Sequence, residues 1–246
     1  MDKKKLSPFE FFKDFHDKEH FFEKLTGEEN TLEKILSQYF LICICSFAYG
    51  IVMGSYNSFQ QAISSGIKVP LLFSLAILVC FPAFYVIQHV LGSRLGFWQM
   101  LKIILSGFVM ISIILVSFST IVIFFLITGN NYSFLKLLHV GIFGISAIFG
   151  MKTILDALQY ACEQKNVYPK IGVTVFKFWI IILAFVGMQL SWNLRPFVAS
   201  RELPFRIFRE RQGNFYLAVV ESAIDIITPS ENKQNQDDQE EINEEG

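Results

Sequence analysis

Residues 103–128 read IILSGFVMISIILVSFSTIVIFFLIT, 26 positions without one Asp, Glu, Lys or Arg. As a helix rising about 1.5 Å per residue, this stretch reaches ~39 Å, more than the ~30 Å hydrocarbon core of a bilayer. The stretch is read as a membrane span that must tilt or protrude. The same texture extends on both sides. The uncharged run continues to Leu135, making 33 residues, and two others cover residues 35–67 and 69–93, of 33 and 25 residues. Across the chain, 52% of residues are hydrophobic and 17% charged, where a soluble domain is about a quarter charged.

The fold class that follows is all-α, a polytopic membrane bundle of about five transmembrane helices. The expected spans are about 36–60, 70–92, 101–128, 133–160 and 171–194. The polar stretch from Gln60 to Lys68 reads as a loop, and Pro70 as the opening of the second span, where its missing N–H costs nothing. Pro82 falls inside that span and is expected to kink it, since it removes a backbone donor and crowds the preceding turn. Trp98 sits in a short turn at headgroup level, where indole prefers to lie. The first span, behind a long charged segment, reads as an uncleaved anchor.

The remaining segments are polar or mixed. Residues 1–35 form a cytosolic amphipathic and charged segment, in which Ser7, Pro8 and Glu10 open a helix by capping logic. Phe11, Phe12, Phe15, Phe22 and Leu25 then share one side of it. Residues 196–228 hold an Arg/Phe segment and a short surface helix, 214–227, whose buried side is expected to include Val220. Residues 229–246 are an acidic tail without the apolar content to build a core. Residues 231–246 alone carry seven acids against Lys233. The first 36 residues mix seven Lys with nine acids, which does not suit a nucleic-acid arm.

Polar residues inside spans are the candidate functional positions. In the fourth span Lys152 and Asp156 lie one turn apart and could neutralise each other. In the fifth, Lys177 lies near enough to the start for its side chain to snorkel. Together they define a polar site that a small transporter or channel subunit could use. Gly141, Gly144, Ala147 and Gly150 recur at every third position of the fourth span and read as a smooth helix-packing surface.

Catalytic and metal signatures are weak. His16, Glu19 and His20 have the spacing of an inverted zinc-peptidase motif, but no third ligand follows, and a charged helix face accounts for them. His89 and His139 read as satisfied histidines near span ends. Cys43 and Cys45, two apart, point to nearly opposite sides of a helix. No phosphate loop or strand pattern is present, and no cofactor is implied. The chain reads as a non-enzymatic integral membrane protein, with the lipid bilayer and other membrane proteins or itself as partners.

Orientation rests on basic residues near span ends. With the amino terminus cytoplasmic, nine lie inside and seven outside, five of the seven being the Arg residues between 195 and 211. The first span's flanks, Lys34 against Lys68, favour an amino terminus inside.

The layout of a polar leader, five close-set spans and Lys68-Val69-Pro70-Leu71-Leu72 resembles the Yip1-like membrane proteins. The acidic leader motif of the eukaryotic members is missing, a departure that counts against a vesicle-trafficking role. Gln189-Leu190-Ser191-Trp192-Asn193-Leu194-Arg195-Pro196-Phe197, with Leu203-Pro204-Phe205 and Asn214-Phe215-Tyr216, is similar to a run in bacterial membrane proteins of this size. That likeness implies a bacterial inner-membrane setting and no activity.

Overall fold

The computed structural model describes residues 31–128, 132–163, 166–167 and 169–198, together with Val220 and Ile224. Among them are five helices: α1 (Thr31–Gly54), α2 (Phe59–Val90), α3 (Phe97–Thr128), α4 (Tyr132–Glu163) and α5 (Lys170–Leu194). All five are long and apolar enough to cross a membrane, and the chain is a multi-pass helical membrane protein. The 32 residues of each of α2, α3 and α4 span ~48 Å, so each outruns the bilayer core. The helix expected near the amino terminus, the His16–Glu19–His20 spacing, the turn expected at Gly129 and the acidic tail all fall outside the described residues. Val220 is helical but 53% exposed, not on a buried side.

Local chemistry explains the helix ends. Ser58, in extended conformation, accepts a hydrogen bond from the Gln61 N–H and caps α2. At the other end Gly92 takes φ +95°, a left-handed conformation that suits glycine. Its N–H donates to the His89 carbonyl and that of Ser93 to the Gln88 carbonyl, the paired bonds of a Schellman stop. At the start of α3, the Gln99 side chain accepts from the Gly96 N–H at 2.8 Å, half of a capping box.

The second span differs most from its expected form. α2 begins at Phe59 and runs through the Gln60–Lys68 stretch, so Pro70 and Pro82 both lie in its interior. The polar residues read as loop are helical because Gln61, Ser65 and Lys68 stack at i, i+4 and i+7 and find partners within the protein. α1 also ends earlier than expected, at Gly54, with a turn over residues 55–57.

α1 packs on α2 and α3, α3 on α4, and α5 on α2 and α4, whereas α2 and α3 meet through side chains, with Phe73 against Phe108 and Phe81 and Tyr85 against Phe97. Lipid tails are as apolar as side chains, so close packing and internal polar bonds must hold such a bundle together. Close approach is achieved with small residues. A Cβ on Gly50 would fall 2.5 Å from the Ser65 carbonyl oxygen. One on Gly54 would strike the backbone at Gln61 and Ala62, so Gly50 and Gly54 meet Ala62 and Gly66 across the α1–α2 crossing. Gly107 and Gly150 do the same at the α3–α4 crossing, each within 2.8 Å of the other's carbonyl by the same construction.

Candidate functional site

The charged residues singled out in the fourth and fifth spans do not converge. Lys152 and Lys177 are exposed on the outside of the bundle and Asp156 is half-buried. No ion pair joins Lys152 to Asp156. The small-residue stripe of α4 also divides. Gly150 is buried at the α3 crossing, Ala147 is half-buried, and Gly141 and Gly144 are exposed with open space where a Cβ would stand. The reason is the helical period. Nine residues at about 100° each make two and a half turns, which puts Gly141 and Gly150 on opposite sides.

The interior polar groups come from other residues. Near the end of the bundle where α1 meets α2, three side chains of one α2 face converge on the chain that leaves α5. Gln61 Nε2 donates to the Pro196 carbonyl at 2.9 Å and Lys68 Nζ to the same oxygen at 3.1 Å. Ser65 Oγ donates to the Phe197 carbonyl at 2.6 Å. From α4, the Tyr132 hydroxyl donates to the Val198 carbonyl at 3.2 Å. Gln61 and Ser65 are fully buried and Lys68 is 4% exposed. Their positions, up to nine residues past Phe59, put them as deep as ~14 Å along α2. An ammonium at that depth is costly without oxygen partners, and the Pro196 carbonyl supplies one. Around this niche Tyr132 stacks on Tyr56 and carries the Lys136 ammonium 4.7 Å from its ring centre. The Arg195 guanidinium lies 3.9 Å over the Trp192 ring.

A second polar pair lies at similar depth between α1 and α4. The Tyr49 hydroxyl and His139 Nδ1 are 2.7 Å apart, and both residues are buried. Phe143 meets the Tyr49 ring edge-on at 5.6 Å. His139 Nε2 has no hydrogen-bond partner among the described residues. At the opposite end of the bundle, two glutamine side chains reach backbone carbonyls. Gln38 bonds the Lys102 carbonyl and Gln88 the Gly172 carbonyl, at 3.4 and 3.3 Å. The Arg94 N–H bonds the Val167 carbonyl at 2.9 Å and links the two loops there.

The lining between α2, α3 and α5 is apolar throughout, with Cys80, Phe84, Phe108, Phe176 and Trp179 around a void of about 10 Å³. That is room for about one water. Among the described residues no three His, Cys, Asp or Glu side chains are placed to hold a metal ion.

Sequence reasoning missed Lys68, Gln61, Ser65, Tyr49 and His139 as a set. The available signals were the i, i+4, i+7 spacing of the first three and the Gly50/Gly54 pair that marks α1 as a close-packing helix. No family model matches the sequence, and neither a curated protein nor a solved structure matches the chain.

Proposed function

We propose that this integral membrane protein is non-enzymatic and acts as a scaffold or interaction partner of other membrane components. The supporting observation is the outward placement of Lys152, Lys177 and the open glycines Gly141 and Gly144. Polar and small groups on the outer surface of membrane helices suit contact with a neighbouring protein, since another backbone can approach closely there. The sequence likeness to bacterial membrane proteins of this size fits an inner-membrane setting. On the same reading the amino terminus is cytoplasmic. A reporter inserted at Gly27 should then report the cytoplasm and one fused after Gly246 the opposite side.

The test is a mild-detergent pull-down with the wild-type chain and Gly144→Leu. A specific membrane partner recovered with the wild type and lost with the variant supports contact through this face. Solute or ion flux in proteoliposomes, with no partner recovered, overturns the reading. The rival is a small transporter or channel subunit with a polar site in the fourth span. The buried His139 favours it, being an interior polar residue of α4 with one ring nitrogen still available. His139→Leu should abolish any such flux.

A further inference from the structure

Lys170, Thr174 and Lys177 stand at i, i+4 and i+7 of α5, so they share one stripe of its surface. All three are exposed. No hydrogen bond or ion pair engages their side chains among the described residues, and the acids of the neighbouring α4, Asp156 and Glu163, pair with neither lysine. Lys177 lies ~10 Å along the helix, where an ammonium facing hydrocarbon is costly without an anion. Helical side chains lean toward the helix start, which directs Lys177 back toward Thr174 and Lys170.

Positive charge gathers around that stripe. The Arg94 N–H holds the Val167 carbonyl, three residues before Lys170, and the Arg94 side chain is exposed. Pro169 offers no capping side chain, so the first N–H groups of α5 add positive potential. Further along the same side the surface turns apolar, with Phe178, Ile181 and Phe185 67, 66 and 51% exposed. One face of α5 therefore runs from cations at its start to bare hydrocarbon toward the membrane centre, the same order as the head and tail of a phospholipid.

We infer that this face of α5 binds an anionic phospholipid, its phosphate among Lys170, Thr174 and Lys177 with Arg94 at the edge, and an acyl chain along Phe178, Ile181 and Phe185. Charge complementarity selects the headgroup: a choline would set a second cation among the lysines, whereas a glycerol headgroup leaves the phosphate charge unopposed. The apolar row selects a lipid over a free phosphate. The inference goes beyond the contact role proposed above: it assigns Lys177 to lipid and leaves the Gly144 face of α4 as the protein contact.

The experiment is photolabelling of the full chain in phosphatidylcholine nanodiscs doped with one of two probes, followed by peptide mapping. The probes are phosphatidylglycerol and phosphatidylcholine with the same diazirine acyl chain. Phosphatidylglycerol should label Phe178, Ile181 and Phe185 several-fold more than phosphatidylcholine does. At Phe40, exposed at similar depth on α1, the two probes should label alike. Lys170→Gln/Lys177→Gln should cut the excess about tenfold or more, the scale of two basic side chains at an anionic surface. Thr174→Val should cut it a few-fold, and keeps the test decisive if the double variant does not fold. Lys152→Gln, which removes a cation from α4, should leave the excess unchanged. An excess that is absent in the wild type, or that survives the double variant, overturns the inference. So does an equal loss with Lys152→Gln, since that reports net charge alone. Loss of the excess on adding inorganic phosphate at matched ionic strength also overturns it, by assigning the cations to a free anion.

Discussion

The bundle has two kinds of helix contact, and they differ in what makes them specific. The α1–α2 and α3–α4 crossings bring backbone against backbone through Gly50, Gly54, Gly107 and Gly150. α5 touches its neighbours through large side chains and is fastened by polar bonds at both ends, from Gln88 to Gly172 and from Gln61, Ser65 and Lys68 to the carbonyls of Pro196 and Phe197. In a medium as apolar as the protein, the first kind gains stability from dispersion at short range, which lipid cannot match. The second gains it from hydrogen bonds that lipid cannot make. One is sensitive to added volume and the other to lost donors.

The largest expected effect is on volume. Gly150→Val would drive a side chain into Ile111 and the Gly107 carbonyl, and should destabilise the detergent-solubilised protein by about 2–4 kcal/mol, or prevent its accumulation. Gly144→Val, on the same helix but facing open space, should stay within about 0.5 kcal/mol in thermal unfolding. Similar behaviour of the two would erase the distinction between the crossing and the open face.

Donor loss in the bundle interior comes next. Tyr49→Phe leaves His139 Nδ1 without its partner and should cost about 1–2 kcal/mol. Pairing it with His139→Leu removes both ends of the bond, so the double variant should be more stable than the sum of the singles. A double-mutant cycle in unfolding free energy measures this coupling. Additive losses would mean that the bond contributes nothing.

The smallest effect is expected on the outer surface. Lys152 and Asp156 form no ion pair, so Lys152→Leu and Asp156→Leu should each shift stability by less than about 0.5 kcal/mol and combine additively. Strong non-additivity would restore the mutually neutralising pair that their spacing suggests. It would also place a polar centre in α4 beyond the Tyr49–His139 contact.

How far the sequence could be read depends on which interactions are local. Span number and helical class follow from composition along the chain, because a bilayer sets a length that an uncharged helix such as residues 103–128 either meets or does not. The helix ends at Ser58 and Gly92 rest on local capping, and could in principle be read the same way. The small-residue stripe of α4 could not be assigned so directly. A count of every third residue shows that glycines are frequent, but which of them meets a backbone depends on where α3 crosses.

By itself, then, the amino-acid order determined that the chain forms five helices long and apolar enough to cross a membrane, since hydropathy sums over neighbours in sequence. Tertiary structure alone decided what the polar residues do. Gln61, Ser65 and Lys68 look like a loop until the chain 128–135 positions later returns its carbonyls to them. Tyr49 and His139, 90 positions apart, become a buried pair only when the folded bundle brings α1 and α4 within side-chain reach. Polar groups in a membrane must be satisfied by partners that can lie anywhere in the chain, and only the packed bundle specifies which.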